Sequence, residues 1–530
     1  MTKINPKFDV EKLDEPSPYT KLYNDRSSIL TCKDKVRTSL YIIFKEILSK
    51  DYDIVIVGGG PIGSVMATAF ARDGRKVLVV ERSWDKPDRI VGELMQPGGI
   101  EALENLGLGD VFNGISAVPT SGYYIGFKQD SVYVPYNVNP DTGKRIKGVS
   151  FHHGNFLSTV RSACKAEPNV TCLEAEVSEL IKNEDENKVL GVRIIPKRGF
   201  KDQEAYHAED DTVKLDKDQT GFSVYAPLTV VADGIYSKFR TENLPSRKPV
   251  LKSHFVGFVI EHNQENPLPC PRNGHVFLNG FTPILMYQMS DTETRVLVDV
   301  PGTKLPNQSN GSLRKYIEAA GSSLPDGIRE AYQENLDKSK RLRVMTNSYF
   351  PPKKTRIMGA VFVGDSYNMR HPLTGGGMTV GYWDCVYLIR NLSKAKIPDL
   401  SDSEAISEAL EEVYTLRRPR ALVINTLSVA LYSLFSADSE PYRNLRDACF
   451  QYFTLGGDAI AGPSGLLSGT ITNPLVLAYH FFSVALYAMF LEVCKSTSVI
   501  SMFPHFLKAV YTLLVAAYIF VPLIINEILS

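Results

Sequence analysis

The hydrophobic pattern changes period several times along the chain, and each change marks an element. Residues 1–35 hold no sustained period and predict a poorly ordered tail. In 36–50 (VRTSLYIIFKEILSK) Leu40, Ile43, Phe44, Ile47 and Leu48 recur at helical spacing, predicting a helix that lies on a membrane or packs on the domain. A continuous apolar run, Ile54 to Val57, then leads through glycines into a helix, and a second run, Val77 to Val80, ends on Glu81. That order is a βαβ unit. From Val118 to Ser223 the period shortens to that of alternating strands, broken by a charged, turn-rich stretch at 183–219 that reads as a solvated hairpin or loop. APLTVVADG (226–234) and GAVFVGD (359–365) read as buried strands ending in turns. PILMYQM and TRVLVDV read as antiparallel strands joined through SDTE, and helices are expected from Gly375 and over most of 404–458.

The C-terminal end differs. Residues 474–494 (PLVLAYHFFSVALYAMFLEVC) and 509–525 (AVYTLLVAAYIFVPLII) each have about the length and polarity of a membrane helix, although Glu492 and Pro522 interrupt them. They read as a helical membrane anchor, crossing the bilayer or entering one leaflet; the alternative is a pair of buried helices. The polar N-terminus carries no signal-peptide pattern.

Composition narrows the function classes. A hydrophobic content of 44% with 22% charged residues is that of a folded chain, and 530 residues call for more than one core. Lys plus Arg equals Asp plus Glu, at 59 each, so no charge imbalance points to nucleic acid. The seven cysteines are scattered without a Cys-x-x-Cys pair, which suggests reduced thiols and neither a disulfide framework nor a zinc site. His152 and His153 have no carboxylate or cysteine at metal spacing and read as structural; no metal site is expected.

Candidate chemistry begins at Gly58-Gly59-Gly60-Pro61-Ile62-Gly63, a G-x-G-x-x-G between strand and helix with an acid, Glu81, at the end of the next strand. Gly58 suits the tight turn, Gly60 a close pyrophosphate, and Gly63 close helix–strand packing. The helix N-terminus offers free N–H groups to that pyrophosphate, and Glu81 can accept from ribose hydroxyls. The motif alone does not separate NAD from FAD.

Two later motifs do. Asp233-Gly234 in VVADGIYSKFR and Gly364-Asp365 in GDSYNMRHPLTGGGMTV each follow a strand. In this order the three motifs resemble the FAD-dependent monooxygenases built like p-hydroxybenzoate hydroxylase. DRIVGELMQPGG (88–99), FHHGNF (151–156), SHFVGF (253–258), the GD segment and PSGLLSG (463–469) resemble the squalene monooxygenase (squalene epoxidase) family over roughly 50–530.

The resemblance implies an α/β chain: a Rossmann-like FAD-binding domain, an antiparallel-sheet substrate domain and C-terminal membrane-anchoring helices. The expected division is 1–50 as tail and amphipathic helix; 51–118 with 145–250 and 340–400 as the FAD-binding domain; 119–144 with 251–339 as the substrate domain; and 401–530 as the helical end. It further implies FAD contacts at Pro61, Ile62, Glu81, Arg82, Arg89, Arg161, Val177, Asp233, Gly364, Asp365, Gly376, Gly377 and Met378, beside the three glycines of the first motif. The family's active-site tyrosine falls on Tyr123, and the glutamine it hydrogen-bonds falls on Gln96. The apolar pocket falls on Leu278, Tyr287, Pro372, Leu373, Leu431, Phe435, Phe450, Phe453 and Leu466. The implied reaction is epoxidation of squalene to (S)-2,3-oxidosqualene with O2, through a flavin C4a-hydroperoxide, in sterol (ergosterol) biosynthesis. Electrons would come from NADPH through NADPH-cytochrome P450 reductase. The implied location is the cytosolic face of the endoplasmic reticulum membrane, and also lipid droplets.

Overall fold

The computed structural model describes residues 46–528, except 48, 184, 186, 197–220, 245–247, 263–265, 356 and 437–438. The tail expected at 1–35, most of the helix expected at 36–50 and the part of the charged stretch at 197–219 lie outside the described residues.

Apolar runs that do not alternate belong inside a parallel sheet covered on both faces. Ile54–Val57 and Leu228–Val231 are buried at every position, and they sit side by side inside a seven-stranded sheet. From one edge to the other its strands are Phe222–Tyr225, Lys188–Pro196, Val170–Asn183, Val77–Glu81, Ile54–Val57, Leu228–Val231 and Ala360–Phe362. The last five run parallel, while the first two turn back as antiparallel strands. Helices Pro61–Arg72 and Gly377–Asn391 pack on this sheet through Val65, Met66, Phe70, Tyr382 and Val386. The expected charged loop thus starts in a hairpin, Val170–Asn183 with Lys188–Pro196, whose register shifts at Val177/Glu179 and at Ile181/Lys182.

A second seven-stranded sheet runs Arg343–Tyr349, Val250–Glu261, Glu293–Pro301, Ile284–Gln288, Gly274–Phe277, Gly122–Phe127 and Asp130–Pro135. Only the pair Gly274–Phe277 with Gly122–Phe127 is parallel. Alternation sorts its side chains onto two faces. Val256, Ile284, Met286, Val296 and Val298 meet the helices Ser312–Gly321 and Asp326–Lys338, whereas Phe255, Leu285, Tyr287 and Leu297 face the C-terminal helices. One expected boundary moves. Residues 343–349, assigned above to the first domain, pair with Val250–Glu261, because that strand had an open edge for them. A small antiparallel sheet, Leu94–Met95, Gly148–Ser150 and Val118–Thr120, sits among the connections between the two large ones.

The rest is helical: Ser403–Phe435, Glu440–Thr454, Asp458–Leu467, Pro474–Cys494 and Val499–Ile528. The last two contain stretches of 21 and 29 residues long and apolar enough to cross a membrane. Each presents one face inward, with Ala485, Ala488, Ala509, Ala516 and Phe520 buried. Their other faces leave Tyr479, Leu486, Phe490, Leu507, Leu514 and Tyr518 exposed, a contiguous apolar surface of the kind that meets lipid or protein. Glu492 does not interrupt the packing, since Lys495 and His505 pair with it at 2.6 and 3.0 Å.

Candidate active site

In a parallel sheet, loops leaving the carboxyl ends of neighbouring strands share one rim. Three such ends meet here: Val57 leads into Gly58, Val231 into Asp233, and Phe362 into Gly364. Gly58 has φ +102°, and a Cβ there would lie 2.6 Å from the Ala232 carbonyl oxygen, so this turn admits only glycine. A Cβ on Gly63 would meet the Gly58 oxygen at 1.9 Å, whereas one on Gly60 meets nothing within 4 Å. The first two glycines therefore bring backbone to backbone, and the third leaves an open surface. The helix beginning at Pro61 has no side-chain cap and no acid in its first turn, and the same holds for the helix beginning at Gly377. Both leave unpaired N–H groups and the positive end of the helix dipole at the rim.

Carboxylates and guanidinium groups surround that surface. Glu81 accepts from the Gly59 N–H at 2.7 Å and the Ser83 N–H at 3.1 Å. Arg161 donates to the Gly59 and Asp85 carbonyls at 2.8 and 2.9 Å and stacks over Trp84. Asp233 keeps one buried oxygen, Oδ1, without a partner, and burial raises its carboxyl against the pull of Ser237. Asp365 opens on the rim but lies deep, so the surrounding protein raises its carboxyl while Arg370, Arg89 and Arg240 draw it down. Arg240 was not singled out from the sequence, although it ends the quoted DG segment. It donates to the Asp365 carbonyl at 2.9 Å and the Ile235 carbonyl at 2.7 Å, tying the DG and GD turns together. Arg82 and Arg89 are exposed, and Val177 is buried in the strand two away from Ile54–Val57.

Beside the rim lies an apolar cluster. Tyr123, Leu278, Tyr287, Leu373, Phe435, Phe450 and Phe453 are buried together, with Leu431 partly buried against them. Leu431 and Phe435 share one face of the Ser403–Phe435 helix, as their spacing of four predicts. Leu466 departs from the expectation. It packs with Leu422, Leu477 and Phe520 in a separate cluster, since its helix turns that position toward the two apolar helices. The sequence pattern did not flag Phe127, whose ring lies 5.1 Å from Phe450, or Tyr432, which stacks on His371 at 3.9 Å. The alternation of the strand carrying Tyr123 was the available signal for Phe127.

The loop between the GD turn and the glycines joins rim and cluster. His371 accepts from the Leu373 N–H at 3.2 Å through Nδ1 and pairs with Ser253 at 2.9 Å through Nε2. Pro372 and Leu373 are thereby held against the second sheet. Burial lowers the His371 pKa, which keeps Nδ1 free to accept. His153, also lowered by burial, bonds the Gly92 carbonyl, and His152 meets Glu293 at 2.8 Å, a carboxylate 141 positions away that no local spacing reveals.

Two tyrosines, Tyr123 and Tyr136, stand within reach of Gln96, and the well-formed bond is that of Tyr136. Gln96 donates to the Thr374 carbonyl at 2.8 Å and accepts from Tyr136, also at 2.8 Å. Tyr123 sits edge-on to Tyr136, and its buried hydroxyl makes no well-aligned hydrogen bond, although Tyr136 and Gln96 are both close enough to act on it. Burial and the neighbouring Tyr136 raise the Tyr123 pKa, and burial pushes Tyr136 up to about 12. Tyr287 gives its hydroxyl to Glu93 at 3.0 Å, and Arg295 grips the same carboxylate with two bonds of 2.8 and 2.9 Å.

The sequence pattern of squalene epoxidase matches residues 225–506, and that of the pyridine nucleotide-disulphide oxidoreductases matches 53–104. Squalene epoxidase ERG1 of Candida albicans is 40% identical over 519 residues, covering 91% of this chain and 99% of that protein. The chain belongs to the squalene epoxidase family. A mammalian relative, squalene monooxygenase of Mus musculus, is 44% identical over 444 residues, 83% of this chain and 72% of that protein. Among solved structures, p-nitrophenol 4-monooxygenase PnpA from Pseudomonas putida aligns with a TM-score of 0.60 at 16% identity, over 79% of this chain and 97% of that one. Klebsiella pneumoniae HpxO complexed with FAD aligns with a TM-score of 0.58 at 16% identity, over 80% of this chain and 100% of that one. These likenesses show the flavin-monooxygenase fold.

Proposed function

We propose that this member of the squalene epoxidase family binds FAD along the rim and epoxidises squalene in the adjoining apolar cluster, giving (S)-2,3-oxidosqualene. The observation that carries this reading is the loop 364–378, which contributes Asp365 to the rim and Leu373 to the cluster.

The rim fits FAD. The open surface at Gly60 and the uncapped helix at Pro61 suit the pyrophosphate, and Glu81 and Arg161 flank the adenosine end. Asp365 and the unpartnered Oδ1 of Asp233 suit hydrogen bonds accepted from the cofactor's hydroxyls, while the helix start at Gly377 suits the flavin edge. When bound and reduced, FAD supplies the two electrons with which O2 delivers one oxygen atom to the alkene and the other to water.

The chain's own residues orient and exclude. A polyisoprene offers no hydrogen-bonding groups, so Leu278, Leu431, Phe435, Phe450 and Phe453 select it by shape and keep water away. Tyr123 carries a buried hydroxyl beside Gln96 that makes no well-aligned hydrogen bond, which leaves it available to orient the reacting centre. The exposed apolar faces of Pro474–Cys494 and Val499–Ile528 put this cluster within reach of a lipid phase, where squalene resides. NADPH-cytochrome P450 reductase as electron donor and the cytosolic face of the endoplasmic reticulum as location complete the reading. Purified chain with reductase, NADPH, O2 and squalene is expected to form 2,3-oxidosqualene. Its absence would remove the assignment, and oxidation of a different lipid would reassign the substrate.

A further inference from the structure

Glu527 lies in the last turn of Val499–Ile528, as the one carboxylate of that helix, and only 3% of it is exposed. A carboxylate so placed needs partners. Its Oε1 accepts from Asn425 Nδ2 at 3.0 Å and from the Tyr349 hydroxyl at 3.4 Å. Asn425, 1% exposed, is fully engaged: Nδ2 also donates to Asn368 Oδ1 at 3.1 Å, and Oδ1 accepts from Arg370 Nε at 2.7 Å. Arg370 spends its remaining donors on the flavin-side loop, giving NH1 to the Gly376 and Gly377 carbonyls at 3.3 and 3.2 Å and NH2 to the Asn368 carbonyl at 2.9 Å.

The charges in this network are shared unevenly. Arg417 holds Asp384 with two bonds, at 2.9 and 3.0 Å, so that carboxylate is committed. Arg370 also feels Asp365, Asp384 and Glu527. Glu527 is the carboxylate that hydrogen bonds join to Arg370, through Asn425, from behind the loop, and Asp365 is the one in front, on the cofactor's side.

We propose that Glu527 is a positioning residue for the cofactor site: through Asn425 and Arg370 it holds the Gly376–Gly377 helix start in place and keeps Arg370 from turning to Asp365. The inference rests on the FAD reading above. It makes the last apolar helix a structural part of the flavin site as well as a membrane-facing surface. The link is made of hydrogen bonds that run unbroken from the helix end to the glycine carbonyls.

The test uses the full chain in detergent, stripped of flavin and titrated with FAD, reading the dissociation constant and the position of the visible flavin band. Glu527→Ala and Asn425→Ala are expected to weaken FAD binding about tenfold and shift the band, the effect of losing one charge-assisted bond that acts on the loop. Glu527→Gln keeps an acceptor without the charge and is expected to lose about threefold. Phe520→Ala is the control, since Phe520 lies in the same helix, stacked on Phe481 at 4.3 Å, outside the network. It should lower the unfolding temperature while leaving FAD affinity within about twofold. Should Glu527→Ala fail to fold, Glu527→Gln and Asn425→Ala decide the matter. Wild-type affinity in those variants, or an equal loss in Phe520→Ala, overturns the proposal. Failure of the unmodified chain to take up FAD overturns the cofactor reading instead.

Discussion

Two tyrosines stand beside Gln96, Tyr136 in a well-formed bond and Tyr123 loosely held, so removing their hydroxyls should have unequal consequences. Tyr136→Phe deletes the donor to Gln96 Oε1, at 2.8 Å, and leaves a fully buried carbonyl oxygen unsatisfied. That costs about 1–3 kcal/mol of stability, the range for orphaning a buried acceptor. Tyr123→Phe deletes a buried hydroxyl that makes no well-aligned hydrogen bond. Stability should then change by less than about 1 kcal/mol, because a desolvated hydroxyl is removed at the loss of weak contacts only. Turnover should behave the other way, with Tyr123→Phe lowering kcat about tenfold while FAD stays bound, if its hydroxyl orients the reacting centre. The assay is denaturant unfolding of both variants in one detergent, beside oxidosqualene formation with saturating reductase. The double variant adds a check: with the rings 5.6 Å apart, coupling of about 1 kcal/mol is expected if Tyr123 takes over the bond in Tyr136→Phe. The reasoning fails if Tyr123→Phe destabilises the chain as much as Tyr136→Phe does, or if it retains full turnover.

Asp365→Ala should reduce flavin retention after gel filtration, read as the flavin-to-protein absorbance ratio; full occupancy would contradict the rim assignment. Arg295→Met leaves Glu93 buried without its two bonds and should cost about 3–5 kcal/mol, whereas Tyr287→Phe removes only one of the three and should cost about 1–2 kcal/mol, both by denaturant midpoint. Burial lowers His275 to about 4, so the unfolded chain binds the extra proton at mild acidity. Stability from this residue is therefore complete above the ordinary histidine value and is lost as pH falls from about 6.5 towards 4, by up to about 3 kcal/mol. A His275→Asn variant should show a correspondingly flatter pH profile of unfolding; an unchanged profile would refute the link.

Much of the rim was legible because each of its turns is encoded locally. An apolar run followed by Gly58, Asp233 or Gly364 states that a buried strand ends there, and a run that does not alternate states that both faces are covered. Helical spacing made it readable that Leu431 and Phe435 share a face, whereas Phe450 and Phe453 of the Glu440–Thr454 helix were implied by the family resemblance alone. Leu466 shows the limit. Its helix and its apolar character were readable, but the direction in which that helix faces was not.

By itself the sequence determined the elements, their order, the three turn motifs and the two apolar C-terminal helices, since propensity, period and turn chemistry act over a few residues. The tertiary structure alone decided which distant residues meet. Strand order brought Gly58, Asp233 and Asp365 to one rim across some three hundred positions. Strand pairing moved 343–349 into the second sheet and set Tyr136 beside Tyr123 against Gln96. Packing of the last helix carried Glu527 to Asn425, 102 positions away. Such contacts depend on register and on which helix faces turn toward each other, and no local spacing carries that information.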